Sequence, residues 1–213
     1  MKTVLIIGAS SGIGLATTGL ALERGFSVVA FARSANGIPL DHDHLKKVAG
    51  DARKQDDVRR AIEGVDAVIQ VLGVPANARM LTGPIDLFSG ATATLLPLMK
   101  QAGVPRLISV TGFGAGDSRD RIPALQRLGF NLIFGRAYSD KDIQEQMIIQ
   151  SGLDWTIARP GVLLNSRGKG RYKILTDPKD WRNGVIARVD VADFLIRQLA
   201  EDAYLRKAPV LIW

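Results

Sequence analysis

Residues 3–14 of the chain, TVLIIGASSGIG, place an apolar strand-like run directly before a loop with glycines at positions 8, 12 and 14. Helically spaced leucines follow this loop, and Gly25 is typical of the residue that ends a helix. This order predicts a diphosphate site, because glycine lets a ligand approach the backbone and a helix N-terminus offers free N–H groups. Ser10 and Ser11 would add hydroxyl donors. The alternative is a turn in which glycine only permits unusual dihedral angles. The loop lacks the Lys-Ser/Thr ending of a P-loop, which disfavours a nucleoside triphosphate as its ligand.

Strand-like and helix-like stretches alternate along the rest of the chain. Strands are predicted at Val28–Ala32, Val48–Asp51, Ala67–Leu72, Leu107–Thr111, Trp155–Ala158 and Pro209–Ile212. Helices are predicted at Asp56–Glu63, Asp86–Ala102, Ser139–Gln150 and Val191–Leu199. We expect Ser139 to be the N-cap of its helix, and Pro97 to kink or divide the helix that contains it. Apolar strands that alternate with helices indicate one doubly wound α/β domain over residues 1–213, with a mainly parallel sheet and helices on both faces.

The end of the second predicted strand bears on cofactor selection. Arg33 closes the run Phe31-Ala32-Arg33-Ser34. At this position an acidic side chain suits the ribose 2′-hydroxyl of NAD, whereas an arginine suits the 2′-phosphate of NADP. Ser34 would donate to the same phosphate, and Asp51 would accept from the adenine amino group. The alternatives are an ordinary surface arginine and an aspartate that caps a turn.

Composition narrows the function classes. The chain has 213 residues with 28 Lys and Arg against 21 Asp and Glu, so its net charge of +7 favours anionic ligands. It has no cysteine, which excludes disulfides, a thiolate nucleophile and cysteine-based metal sites, and with two histidines we expect no metal centre. No apolar run approaches the ~20 residues of a membrane span. We therefore expect a cytoplasmic protein that acts on a small molecule, without a membrane or nucleic-acid partner.

The chain resembles the short-chain dehydrogenase/reductase superfamily, specifically its atypical NAD(P)H-binding branch. That branch includes biliverdin/flavin reductase-like proteins, quinone and dye reductases, and catalytically silent NADP-binding regulators. The resemblance covers essentially the whole chain, through Val4–Gly14, Val29–Ser34, Gly50-Asp51, Gly64–Val68, Gly103–Thr111, Ser151–Gly161 and Arg188–Ala192. It implies a Rossmann-type fold with a small C-terminal substrate lobe and a nicotinamide cofactor. Arg33 favours NADP(H) over NAD(H) in that role.

The resemblance also implies which residues hold the cofactor. Those that would hold the diphosphate are Gly8, Ser10, Gly12, Ile13 and Gly14, with Ser11 of the same loop as an added donor. Those that would face the 2′-phosphate and the adenine are Arg33, Ser34, Asp51 and Ala52. Those that would line the ribose and nicotinamide end are Leu72, Gly73, Thr111, Lys141, Pro160, Gly161 and Val162.

The proton-donor pattern of the superfamily is altered in this chain. Many members carry Tyr-x-x-x-Lys, in which the tyrosine donates a proton and the lysine lowers its pKa. Lys141 fits the lysine, but Ala137 stands four residues earlier and Tyr138 only three, just ahead of the predicted helix. Thr111 occupies the usual position of a serine. Thr111, Tyr138 and Lys141 are therefore the candidate catalytic residues, although Lys141 is alternatively a surface lysine paired with Glu145.

Two segments without sheet-core patterning, residues 112–138 and 163–187, are expected to cover the nicotinamide end and form the substrate pocket. The first is apolar and partly aromatic, with Phe113, Leu125, Leu128, Phe130, Leu132, Ile133 and Phe134. The second carries four cations, either to clasp an acidic group or as a solvated hairpin, at Arg167, Lys169, Arg171 and Lys173.

Together these features predict an NADPH-dependent reductase that transfers hydride to a planar conjugated or carbonyl substrate, such as a flavin, quinone or tetrapyrrole. One alternative is a non-catalytic NADP(H)-binding regulator that senses redox state, which Ala137 in the tyrosine position favours. Another is a nucleotide-sugar epimerase or dehydratase, which the short chain disfavours. The sequence leaves the individual substrate and the oligomeric state open.

Overall fold

The structure, a computed structural model, describes residues 1–73, 86–122 and 124–213, and the side chains of all of these except residues 124–134. The apolar side chains predicted between Leu125 and Phe134 lie outside the described residues. The strands are β1 Thr3–Ile7, β2 Ser27–Ala32, β3 Leu45–Ala49, β4 Ala67–Gln70, β5 Arg106–Val110, β6 Asp154–Pro160, β7 Val162–Leu164, β8 Lys173–Leu175, β9 Val185–Ala187 and β10 Val210–Ile212. The helices are α1 Gly12–Glu23, α2 Gln55–Ile62, α3 Leu87–Gln101, α4 Ala124–Ile149 and α5 Arg188–Arg197.

Eight of these strands form one sheet, in the order β3-β2-β1-β4-β5-β6-β10-β8. All neighbours in it are parallel except β10 and β8, which run antiparallel. The short strands β7 and β9 form a separate parallel pair. The prediction of a mainly parallel, doubly wound sheet is confirmed. Because the parallel strands share one direction, the loops after β1, β2, β4 and β5 meet at a single edge of the sheet.

Side chains of the central strands alternate between two buried layers, as a sheet covered on both faces requires. In β1, Val4 and Ile6 pack in the same cluster as Phe194 of α5. Leu5 and Ile7 point to the other face, where they share a cluster with residues of α2 and α3. Helices α1 and α5 therefore cover one face of the sheet, and α2, α3 and α4 cover the other.

The prediction for the helix before β6 was wrong at its start. The helix begins at Ala124, so Ser139 lies inside it and is not its N-cap. Tyr138 is likewise helical and does not lie ahead of the helix. Gly129 and Gly135 lower helix propensity and weaken the sequence signal upstream of Ser139. Long-range packing of α4 against α3 outweighs this local preference.

Helix α3 is one continuous helix through Pro97, so this residue does not divide it, and the predicted kink stays a prediction. The segment 163–187, which lacks sheet-core patterning and for which no strand is predicted, contains β8, β9 and most of β7. Strands this short give little periodic signal in a sequence. Across the described parts of the chain, no helix combines the length and apolarity that crossing a membrane requires.

Candidate functional site

A cleft of about 680 Å³ opens at the carboxyl edge of the sheet. It brings together most of the residues predicted for the site: Gly8, Ser10, Ser11, Gly12, Ile13, Arg33, Ser34, Asp51, Ala52, Leu72, Gly73, Thr111, Tyr138, Lys141 and Pro160. Three predicted residues, Gly14, Gly161 and Val162, are not among those that line it. Gly14 packs beneath the glycine loop, and a Cβ on Gly161 would lie 2.3 Å from the Gly184 carbonyl oxygen. Val162 is exposed.

The three glycines of the first loop have different tasks. Gly8 has φ +95°, and a Cβ there would lie 2.7 Å from the Val71 carbonyl oxygen, so the loop packs tightly against the end of β4. A Cβ on Gly14 would lie 2.0 Å from the Gly8 carbonyl oxygen, which fixes α1 against the loop. Gly12, with φ +57°, faces the cleft, where, of the residues that the structure describes, only Arg188 brings side-chain atoms within 4 Å of an added Cβ. Gly8 and Gly14 therefore shape the loop, and Gly12 opens its backbone to a ligand.

Helix α1 presents an uncapped N-terminus to this cleft. Its N-cap residue is Ser11, whose side chain makes no capping hydrogen bond, and no acidic residue stands in the first turn. The first backbone N–H groups of a helix have no partner within the helix and carry partial positive charge. This end of α1 is therefore suited to an anionic ligand.

The loops after β2 and β3 bring Arg33 and Asp51 to the same cleft. Arg33 is exposed and makes no ion pair among the described residues. Asp51 Oδ1 accepts a hydrogen bond from the backbone N–H of Arg53 at 3.0 Å. This bond, together with the Arg53 guanidinium, lowers the pKa of Asp51 below its ordinary value. Asp51 thus caps a turn and also lines the cleft, and its role toward the adenine stays a prediction.

The three candidate catalytic residues lie close together. Tyr138 and Lys141 are one turn apart on α4 and line the cleft. The Lys141 ammonium donates to the Thr111 carbonyl oxygen at 2.6 Å. The Tyr138 hydroxyl lies against Gly112, where an added Cβ would be 2.7 Å from it. The start of α4 upstream of residue 139, which sequence reasoning missed, is what places Tyr138 on the same helix as Lys141.

The ionisation of both side chains is shifted by burial. Burial raises the pKa of Tyr138 to about 12. Burial lowers the pKa of Lys141 to about 8, against the opposing charge of Glu145. The Lys141 ammonium lies 4.9 Å from the Tyr138 ring centroid and 5.0 Å from that of Phe88, over the ring faces. The Lys141 ammonium therefore lies over the Tyr138 ring face while it donates to the Thr111 carbonyl oxygen.

Beneath Thr111 lies a buried ion pair. Arg159 donates to the Glu145 carboxylate through Nε at 3.0 Å and Nη2 at 2.6 Å, and both side chains are almost fully buried. The Thr111 hydroxyl donates to Glu145 Oε1 at 2.6 Å. The alternative prediction that Lys141 is a surface lysine paired with Glu145 is wrong, because Arg159 and Thr111 occupy that carboxylate and Lys141 lines the cleft.

Several lining residues were not predicted. Leu87 and Phe88 at the start of α3, Leu163 of β7 and Arg188 of α5 all line the cleft. The apolar residues carry no signal that separates them from core positions. Arg188 did carry such a signal in the sequence, because it is a cation in Arg188–Ala192, one of the stretches that resemble the family.

The basic segment 167–173 is held in place and is not a free hairpin. The buried Asp190 carboxylate accepts from the backbone N–H groups of Lys169 and Gly170, each at 3.0 Å. It also accepts from the Trp213 indole at 2.7 Å. The Lys169 ammonium lies 3.9 Å from the Trp213 ring centroid. Asp190 therefore fixes this segment beside the start of α5.

Comparison with known proteins agrees with this geometry. A family model described as NAD(P)H-binding matches residues 8–202. Among curated proteins, the sugar epimerase YhfK of Bacillus subtilis, named as uncharacterized, is 30% identical over 147 residues, which are 68% of this chain. The chain spans 62% of the length of that relative and 32% of another, ipsdienol dehydrogenase of Ips pini.

Solved structures of similar fold cover nearly the whole chain. ChuY, an anaerobillin reductase from Escherichia coli O157:H7, has a TM-score of 0.80 at 26% identity, over 99% of this chain and 97% of its own. A short-chain dehydrogenase/reductase from Veillonella parvula in complex with NADP has a TM-score of 0.83 at 18% identity, over 100% of this chain and 94% of its own. At that identity the second match bears on the fold alone. The family model confirms the predicted NAD(P)H-binding resemblance, and the solved structures confirm the Rossmann-type fold, which is that of a short-chain dehydrogenase/reductase.

Proposed function

The chain belongs to the NAD(P)H-binding family, and from that premise we propose that it is an NADPH-dependent reductase that transfers hydride to a planar conjugated or carbonyl substrate. The observation that carries this proposal is one cleft that holds both the glycine loop and the cluster of Thr111, Tyr138 and Lys141. A dinucleotide-binding loop and ionisable side chains in one cavity are what such a reaction requires.

The cleft fits a nicotinamide dinucleotide. Its volume of about 680 Å³ lies within the range of ligand sites, roughly 300–1,000 Å³. Gly12 leaves the backbone open, and the uncapped start of α1 would face the diphosphate. Arg33, with no ion-pair partner among the described residues, would bind the 2′-phosphate and favour NADP(H) over NAD(H). Asp51 would accept a hydrogen bond from the adenine amino group.

Thr111 and Tyr138 bear on which class of substrate accepts the hydride. When bound, a reduced nicotinamide supplies the hydride that the substrate accepts. The Thr111 proton is directed to Glu145, so the Thr111 oxygen presents lone pairs and no proton. With a pKa of about 12, Tyr138 is a weak acid.

An isolated carbonyl needs a proton as it is reduced, whereas a flavin or quinone forms a stabilised anion that takes its proton from water. The described residues supply positioning and little acid catalysis. Within the proposed class, the conjugated acceptors are therefore the better substrates.

Anaerobic oxidation of NADPH by the purified full chain tests the proposal. Flavins, quinones and simple aldehydes would be compared as acceptors, with absorbance at the nicotinamide band as the readout. We expect turnover with a flavin or quinone and less with aldehydes. Thr111→Val would serve as the matched site variant, and Thr94→Val, a half-buried threonine of α3 that does not line the cleft, as the control. No turnover with any class, despite saturable NADPH binding, would reject the reductase.

A second candidate is a non-catalytic sensor of the NADP(H) redox state. Ala137 favours it, because this residue lines the cleft at the place where many relatives carry the tyrosine acid. Under this candidate NADP⁺ and NADPH bind, and only one of them alters the resistance of the chain to proteolysis. Steady turnover in the acceptor panel would reject the sensor.

A further inference from the structure

Arg188 lines the cleft but has no role in the proposed binding mode of the dinucleotide. It is the first residue of α5, directly after β9, and it lines the cleft opposite the glycine loop. Its Nε would lie 3.7 Å from a Cβ built on Gly12, and its Cδ 3.9 Å. The Arg188 side chain thus reaches from α5 to Gly12, the glycine of the loop whose backbone is open to the cleft.

The charge of Arg188 has no carboxylate partner among the described residues. Its Nη1 donates to Asn165 Oδ1 at 2.6 Å, which is a neutral acceptor. The nearest carboxylate along the chain, Asp190, is already occupied by Lys169, Gly170 and Trp213. A guanidinium has five N–H donors in a planar fork. Most of the donors of Arg188 are therefore left for a ligand.

The glycine loop needs such a cation. Residues 8–14 contain no lysine or arginine, so the loop offers backbone and hydroxyl donors only. Arg33 stands at the end of β2, where it serves the 2′-phosphate in the proposed binding mode. The two negative charges of a dinucleotide diphosphate would otherwise meet no full positive charge from this loop.

We propose that Arg188 binds the diphosphate of the cofactor, with Asn165 as the positioning residue that holds its guanidinium over Gly12. The inference rests on the proposed function, because it takes the dinucleotide as the ligand. Since NADPH and NADH share the diphosphate, Arg188 determines affinity for both, and Arg33 alone determines the preference between them.

Calorimetric titration of the full chain with NADPH and with NADH separates these roles. We expect Arg188→Met to weaken both ligands by a similar factor, about tenfold to a hundredfold, as loss of a charge-assisted hydrogen bond predicts. Arg33→Met should weaken NADPH and leave NADH nearly unchanged. Arg182→Met is the matched control, because Arg182 is an exposed arginine outside the cleft whose Nη1 donates to the Asp180 carbonyl.

Inorganic pyrophosphate gives a second readout. It should compete with NADH on the wild-type chain and lose most of this competition in Arg188→Met. Arg188→Lys, which keeps the charge without the fork, should bind both dinucleotides with intermediate affinity and keeps the test available if Arg188→Met does not fold. Unchanged affinity in the Arg188 variants, or a loss confined to NADPH, would overturn the assignment. Failure of the wild-type chain to bind either dinucleotide would instead reject the proposed function.

Discussion

The Thr111 hydroxyl donates its proton to Glu145 at 2.6 Å, and the same carboxylate receives two hydrogen bonds from Arg159. Because the Glu145 carboxylate accepts from Arg159 and from Thr111, the Thr111 hydroxyl has one preferred direction. Its proton is therefore directed to the buried carboxylate and away from a ligand. The proposed preference for conjugated acceptors over simple carbonyl compounds rests on this arrangement.

Glu145→Gln should destabilise the fold, because the Arg159 guanidinium loses its buried carboxylate partner and is left with the largely exposed carboxylate of Asp117. Breaking a buried pair at one partner costs about 3 kcal/mol or more, and the pair with Asp117 should offset part of this cost. Urea denaturation at neutral pH measures the loss in free energy of unfolding. Glu201→Gln is the control, since its pair with Arg197 is exposed and should matter by roughly 0.5 kcal/mol. A loss below 1 kcal/mol (roughly the value of a surface pair) for Glu145→Gln would show that the buried pair does not stabilise the fold.

The glycine loop predicts opposite outcomes for two alanine substitutions. Gly14→Ala should fail to fold or melt far lower, because its Cβ would collide with the Gly8 carbonyl. Gly12→Ala should fold with a loss of about 1–2 kcal/mol for its positive φ, yet bind dinucleotide poorly. Thermal melts and NADPH titration measure the two effects. Equal behaviour of the two variants would contradict the division of tasks within the loop.

The pKa of Lys141 predicts a pH-dependent stability. Its folded pKa of about 8 lies below the ordinary 10.5 because burial disfavours the ammonium. The unfolded chain therefore binds more protons between these values, so the contribution of Lys141 to stability rises as pH climbs from 8 toward 10.5 and is lost as pH falls through 8.

Lys141→Met removes this dependence. Its gain in unfolding free energy over the wild-type chain should be largest at pH 7 and shrink by pH 10. Urea denaturation at both pH values measures the difference, with Lys46→Met on the exposed edge strand as control. A gain that stays the same at both pH values would contradict the buried position of Lys141.

Asp190→Ala should release the basic segment 167–173 from α5, because three hydrogen bonds end on that carboxylate. Limited trypsin digestion followed by mass spectrometry should then detect early cleavage after Arg167, Lys169 and Arg171. Asp177→Ala, in an exposed turn, should leave the digestion pattern unchanged. Protection of the segment in Asp190→Ala would mean that other contacts hold it.

The sequence was sufficient for the parallel strands of the sheet and for the residues that reach the cleft after β1, β2 and β3. Buried strands such as Val4–Ile7 are continuous apolar runs, and the residues that follow them are fixed by the direction of a parallel sheet. That is why Gly12, Arg33 and Asp51 meet in one cleft as expected. Each of these residues follows the end of its own strand by only a few positions.

The remaining parts depend on contacts that span long sequence distances. Arg188 reaches Gly12 across 176 positions, the difference between their numbers, and Arg159 meets Glu145 only because β6 packs beside α4. Gly129 and Gly135 weaken the sequence signal for the start of α4. The helix begins at Ala124, which places Tyr138 on the same helix as Lys141. Such relations follow from packing and leave no periodic pattern in the sequence.

Calorimetric titration of the purified full chain with NADPH and NADH, side by side, measures whether the cleft binds a nicotinamide dinucleotide. We predict saturable one-to-one binding of both, with NADPH tighter by about tenfold, as one charge-assisted contact from Arg33 to the 2′-phosphate implies. Tighter binding of NADH would contradict only the selectivity of Arg33. Absence of saturable binding for either dinucleotide would contradict the account as a whole.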